Sequence, residues 1–323
     1  MTSEELKNRL TDILSQEAIG VMAYAVLKEN DAYTLKRLAI NNVASCKLVE
    51  ALEINIRALL QTLEENDEYR VIALSSADDR ATAIYQYDLE QRPQFFDAFD
   101  EILMHRENDY FLERNNKVFD LSQNNLSEID GIILEFGSIG NSMLVYRKNY
   151  PVNLFKQDRI FLTKESDTQL TTIDNDFLRI DAKIDFFRID DSVLICNLGT
   201  LEKYCEFHQI ITAEATRSLG CVARLDIIEN IECLEERVGE LPFARKLTRI
   251  STSSPVFTLS KRQIIDFARN HSTLRAKFHF TNNDTIILQS KKEQDLFVRL
   301  LNDDFLHSEL TNYDYMTPAK DRL

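Results

Sequence analysis

Gly131-Ile132-Ile133-Leu134-Glu135-Phe136-Gly137-Ser138-Ile139-Gly140-Asn141-Ser142-Met143-Leu144-Val145-Tyr146-Arg147 is the stretch on which the fold turns. Two apolar runs flank Gly137-Ser138-Ile139-Gly140, a glycine-bearing link of the kind that closes a β-hairpin. The link lacks the Gly-Lys-Ser/Thr ending of a nucleotide loop, so no phosphate role follows from it. Strands are expected over Gly131–Phe136 and Ser142–Arg147, then over Arg159–Thr163, Phe177–Phe187 and Ser192–Asn197. Connections this short cannot carry parallel crossovers, which take a dozen or more residues. The segment from 129 to 197 therefore reads as a largely antiparallel, meandering sheet.

Working outward, residues 4–17 read as an amphipathic helix with Leu6, Leu10, Ile13 and Leu14 on one face and Ser3 as its N-cap. Strands are expected over 19–28 and 32–40, joined around Glu29-Asn30-Asp31, and a long helix over 44–65. Short strands follow at 69–74, 81–88 and 110–114. A helix at 94–104 has Phe95, Phe96 and Phe99 at core-type spacing and His105 at its end. Beyond 198 the periodicity turns helical, near 200–218, 221–234, 240–250, 260–270 (N-cap Ser260) and 290–302. A strand pair near 276–288 turns at Asn282-Asn283-Asp284. The class is α+β. At 323 residues the chain suits two domains. The polar run Ser122-Gln123-Asn124-Asn125 places the division, giving an N-terminal α+β domain (1–125) for docking or dimerisation and a second domain (126–323) of antiparallel strands and C-terminal helices.

With 44% hydrophobic and 28% charged residues the chain has a globular composition, and its 7 Gly and 5 Pro leave little room for linkers or Gly-rich loops. The longest apolar run, Ile19 to Leu27, falls far short of the roughly 20 residues of a spanning helix. The acidic start Met1-Thr2-Ser3-Glu4-Glu5 does not resemble an export signal. Cys46, Cys196, Cys205, Cys221 and Cys233 show no Cys-x-x-Cys pair, which fits reduced thiols in the cytoplasm. No spacing calls for a metal or a cofactor. The formal charge of −15 is unevenly spread. From Arg237 to Leu300 there are 12 Lys and Arg against 5 Asp and Glu, a local excess of +7, while residues 1–236 carry 24 against 43.

Two constellations invite chemistry. In Arg179-Ile180-Asp181-Ala182-Lys183-Ile184-Asp185, a strand period of two places Asp181, Lys183 and Asp185 on one side. An Asp-x-Lys on a strand suits a metal-dependent nuclease, with Asp174 or Asp176 as a further acid. The same alternation marks any half-buried antiparallel strand. Cys205 and His208 make at most one pair, too few for a zinc site. The basic stretch is of another kind. Arg245, Lys246 and Arg249 lie within about one helical turn, Lys261 and Arg262 open the next helix, Arg269, Arg275 and Lys277 follow, and Lys291 and Lys292 open a later one. If they converge they form a phosphate-binding patch, aided by Ser251-Thr252-Ser253-Ser254. Replacing Arg245, Lys246 and Arg249 by Glu would then abolish DNA binding. The rival reading is a solvated face or a surface for an acidic protein partner.

The second half resembles a known family. The residues that carry the likeness are Leu144-Val145-Tyr146-Arg147-Lys148-Asn149-Tyr150-Pro151, then Ile184-Asp185-Phe186-Phe187-Arg188-Ile189-Asp190-Asp191-Ser192-Val193-Leu194-Ile195-Cys196-Asn197, then Ser290-Lys291-Lys292-Glu293, Leu300-Leu301-Asn302-Asp303, Leu310-Thr311 and Tyr315. Over roughly 130–320 they are similar to the KwaB-like domain of bacterial Kiwa antiphage systems. The resemblance implies a cytoplasmic effector that binds DNA, interferes with invading phage DNA as a homodimer, and acts with a membrane-embedded partner, KwaA, which holds it peripherally at the inner membrane. It supplies no set of catalytic residues.

Overall fold

The computed structural model of the chain describes residues 1–29, 32–76, 83–106, 118–120, 125–138, 140–150, 154–155, 163–166, 169–172, 177–308 and 313–316. The expected strand at 110–114, the turn at Asn30-Asp31, the His105 side chain, Ser122 to Asn124 and Leu310-Thr311 lie outside what is described. The chain divides into two units, one of residues 1–71, 83–87 and 92–201, the other of 72–82, 88–91 and 202–323.

In the first unit α1 (Ser3–Leu14) starts one residue earlier than expected. Thr2, not Ser3, is the N-cap: its hydroxyl accepts from the Glu5 N–H at 3.1 Å while the Glu5 carboxylate accepts from the Thr2 N–H at 2.7 Å. Next come β1 (Gly20–Glu29), β2 (Ala32–Leu38), α2 (Asn42–Glu65), β3 (Val71–Ala73, of which only Val71 falls in this unit), β4 (Ile84–Gln86) and α3 (Asp97–Arg106). The hairpin β5 (Ile129–Ser138) and β6 (Asn141–Lys148) follows, with Ser138 opposite Asn141 and Gly140 at φ 82°, a conformation few residues but glycine accept. Two small pairs come next: β7 (Leu154–Phe155) with β10 (Phe177–Leu178), and β8 (Thr163–Ser166) with β9 (Gln169–Thr172). The hairpin β11 (Phe186–Ile189) and β12 (Ser192–Ile195) turns at Asp190-Asp191.

The main sheet has the order β2-β1-β5-β6-β11-β12-β4-β3, and its ladders from β2 through β4 are antiparallel, as expected. β1 pairs with β5 almost from end to end, so the division expected near 120–128 falls inside this unit: the strands before and after it share one sheet. The sheet is buried on both faces. Leu6, Leu10 and Ile13 of α1 and Leu52 and Ile56 of α2 pack against Ala23, Ala25, Leu134, Phe136, Val145 and Phe187. On the other face the Phe95 ring lies tilted 4.3 Å from that of Tyr146, which stacks 5.0 Å from Phe186. The apolar run at 19–27 is thus the interior strand β1, which explains its length without a membrane. Among the described residues no helix is long and apolar enough to cross one.

The second unit is built from α5 (Phe207–Arg224), α6 (Glu232–Glu235), α7 (Leu241–Ser253), α8 (Lys261–Asn270), α9 (Ser272–Arg275) and α10 (Lys291–Leu301), preceded by α4 (Leu198–Tyr204), which leads into it. Ser260 caps α8 as expected. Two hairpins complete it, β13 (His279–Phe280) with β14 (Ile286–Ile287) and β15 (Phe305–His307) with β16 (Asp314–Met316). The helix expected over 200–218 breaks at Glu206, whose φ is 56°. Cys205 is buried before the break and His208 is exposed after it, so the two share no helix.

Candidate nucleic-acid interface

The Asp-x-Lys pattern takes a different form from the one expected. β10 ends at Leu178 and β11 begins at Phe186, so residues 179–185 are not a strand and have no alternating face. Asp185 turns fully inward instead. Its carboxylate accepts from Arg147 Nη1 at 3.0 Å, the Lys148 N–H at 2.9 Å, Asn197 Nδ2 at 2.8 Å and Thr200 Oγ1 at 3.1 Å. Asp181 takes the other edge of the same guanidinium, with Arg147 Nε at 2.8 Å and Nη2 at 3.2 Å. Both carboxylates engage one arginine, a charge-assisted arrangement that ties β6 to the loop before β11. Lys183 points into solvent. Asp174 and Asp176 lie outside the described residues, among which no group of three or more His, Cys, Asp or Glu side chains could hold a metal ion. The neighbouring Cys196 thiol is pushed up to about 12 by burial and then by the Asp185 charge, which leaves it protonated and unreactive.

In the second unit, packing sorts the basic stretch into three kinds of cation. Some are structural. Arg249 of α7, its side chain 12% exposed, faces Asp304 (3%) at 3.9 Å. Arg237 is buried under Phe243, with its guanidinium 4.0 Å from the ring centre, and bonds Glu240 and Gln294. Arg245 reaches Glu202 at 3.2 Å, and burial raises the carboxyl of Glu202 against the pull of that arginine. A second kind is paired at the surface: Lys261 with Asp226 (2.8 Å), Arg262 with Asp266 (3.5 Å), Arg269 with Asp284 (2.7 Å) and Lys291 with Glu240 (2.6 Å). Such exposed pairs are weak and exchangeable. For the third kind, Lys246, Arg275, Lys277 and Lys292, no carboxylate among the described residues lies in ion-pair range; all but Lys246 are exposed.

The sequence count missed three of these acids. Glu202, Asp226 and Asp304 lie outside 237–300 and cancel cations inside it. The α7 cluster of Arg245, Lys246 and Arg249 is therefore no open patch, and swapping all three for Glu would disturb packing as well as charge. Ser254, counted among the phosphate-binding hydroxyls, is used internally: it donates to the Leu301 carbonyl and accepts from the Val256 N–H. The side chains of Ser251 to Ser253 lie outside the described residues.

The hairpin β15–β16 is clasped to the α8–α9 junction. The Asp314 carboxylate accepts from the Ser272 hydroxyl at 2.5 Å and the Ser272 N–H at 3.1 Å, and lies 2.9 Å from His307 Nδ1. The Ser272 hydroxyl and then His307 hold that carboxyl far below the usual range. Beside it the His271 ring is buried against Phe305, with Nε2 3.9 Å from Asp314 and neither ring nitrogen hydrogen-bonded among the described residues. Burial lowers its basicity, against the nearby carboxylate.

Against this geometry stand the similarities to known proteins. The model of the family described as Kiwa protein KwaB-like matches residues 126–311, which include every basic residue named above. The chain is 29% identical over 328 residues to Kiwa protein KwaB of Escherichia coli O55:H7 (strain RM12579 / EPEC), covering 100% of this chain and 99% of that protein. No solved structure matches. The family match begins just before β5, inside the sheet of the first unit, so its limit is not a boundary in the fold.

Proposed function

Because the chain belongs to the Kiwa KwaB-like family, and so is a component of an antiphage defence system, we propose that it serves there as the DNA-binding effector. On this reading it grips DNA through phosphates, without reading bases, and interferes with phage DNA. It acts as a homodimer beside the membrane-embedded partner KwaA. The observation that carries the reading is the set of exposed cations, Arg275, Lys277 and Lys292, that have no carboxylate partner among the described residues, inside the family-matched segment of a chain whose net charge is −15. Binding is a property of local potential, and a patch this small acts within a Debye length of about 8 Å at physiological salt.

The alternative of a metal-dependent nuclease gains nothing from Asp181 and Asp185, which Arg147 occupies. A protein-interaction scaffold remains the competing use of the same cations. The test is DNA binding by the purified chain over a salt series, with and without Mg²⁺, with the DNA examined afterwards. The expected result is intact DNA and an affinity that falls log-linearly with salt, by about 0.9 in slope for each phosphate engaged. Cut DNA in the Mg²⁺ samples overturns the non-catalytic reading. No binding at the lowest salt overturns the DNA reading in favour of a protein partner.

A further inference from the structure

The geometry points to one phosphate-contacting surface: the corner where α9 runs into β13, built from Arg275, Lys277 and His279. The inference rests on the DNA reading above and moves the contact away from α7, where the charge count alone had placed it.

All three side chains are exposed, and no carboxylate among the described residues lies in ion-pair range of Arg275 or Lys277. Their backbone is held firmly. Leu274 (0% exposed), just before Arg275, and Phe278 (5%), between Lys277 and His279, are buried, and Phe278 packs on Phe297 of α10. The N–H groups of Lys277 and Phe278 both donate to the Leu274 carbonyl, at 3.1 and 2.8 Å. A cation carried on fixed backbone loses less entropy on binding than one on a loose loop.

The flank adds to the surface. Arg269 lies over the Phe280 ring, 5.2 Å from its centre, and pairs with Asp284 while 39% exposed. A phosphate can replace that exposed carboxylate at little cost. His279 contributes a ring N–H donor in either protonation state. The occupant that suits such a row is the phosphodiester backbone of nucleic acid, contacted through charge and hydrogen bonds with no groove-reading element. Two of the three α7 cations differ, since Arg245 and Arg249 are turned toward Glu202 and Asp304.

The test compares the full-length chain with Arg275→Glu/Lys277→Glu, the milder Arg275→Gln/Lys277→Gln, and Lys246→Glu, each titrated with a mixed-sequence DNA duplex over a salt series. Circular dichroism and thermal melting confirm that each is folded. The double Glu variant is expected to bind at least about tenfold more weakly. The Gln variant is expected to lose about 1.8 from the salt slope, the share of two phosphates, and Lys246→Glu to bind as the parent does. If the parent binds and the 275/277 variants bind equally well, or Lys246→Glu alone is impaired, this placement is overturned while the DNA reading stands. If the parent itself fails to bind at low salt, the DNA reading falls and takes the placement with it.

Discussion

Asp185 and Arg275 sit in the two units of one chain, and their surroundings could hardly differ more. Asp185 has no exposed surface and collects donors from Arg147, Lys148, Asn197 and Thr200. Arg275 is exposed, two residues from Lys277, neither with an ion-pair partner among the described residues, on a backbone pinned by Leu274 and Phe278. In the first region charge is consumed by folding, because an ion taken out of water must be fully partnered to be tolerated. In the second, charge is left over. A charged cluster is a candidate site only to the extent that the fold has not already used it.

The sharpest way to break this contrast is Asp185→Ala. It takes one of the two carboxylates from the Arg147 guanidinium, its side chain 16% exposed, and removes the acceptor of Asn197 Nδ2. A loss of about 3–5 kcal/mol in unfolding free energy is expected by urea denaturation. Lys183→Ala, two residues away and exposed, is expected to stay within about 0.5 kcal/mol. Comparable losses from the two would erase the distinction between a folding cluster and a free one. Arg249→Ala comes next. It takes the guanidinium away from the buried Asp304 carboxylate, and a cost of about 2–3 kcal/mol is expected in the same assay. A neutral result would return Arg249 to the list of available cations.

What the sequence could and could not tell follows from the same physics. The antiparallel sheet was legible because apolar runs and the turn at Gly140 are local signals, and Phe95, Phe96 and Phe99 read correctly as core. The domain division was not legible, because the β1–β5 pairing joins residues more than a hundred positions apart and leaves no mark in either segment. Residues 179–185 misled for a similar reason. Alternation suggested a strand, while the deciding partners, Arg147, Asn197 and Thr200, come from other elements. The basic stretch was visible as composition, but its neutralisation by Glu202, Asp226 and Asp304 was not, since those acids lie outside the counted window.

The clasp of the second unit lies between the two extremes, and pH probes it. His271 titrates below its ordinary value in the folded chain, so it stabilises the fold above about pH 6.5 and that contribution is lost as the pH falls further. Asp314, whose carboxyl is also depressed, adds a second loss at more acidic pH, below the ordinary aspartate value. The groups facing His271 are Asp314, which favours its protonation, and His307, which opposes it. Thermal melting is therefore expected to show a decline on going from neutral pH to about 5.5, smaller in His271→Leu, which keeps the apolar contact with Phe305. An identical decline in the variant would mean that the ring is not the titrating group.

The smallest expected effect is the most telling for the comparison. Arg275→Ala/Lys277→Ala removes two cations that hold no ion pair with a described residue, so the melting temperature and urea midpoint should match the parent, with a change within about 0.5 kcal/mol. Removing two like charges next to each other even relieves a little repulsion, and at low salt the variant should be no less stable than the parent. A clear destabilisation would show that these side chains hold the α9–β13 corner together through their aliphatic stems, as long charged residues can when they lie over apolar surface. The corner would then belong with Asp185 among the charges that folding has used. An unchanged fold, set beside the loss of DNA binding expected for the Glu variant, would separate stability from recognition at the same two residues.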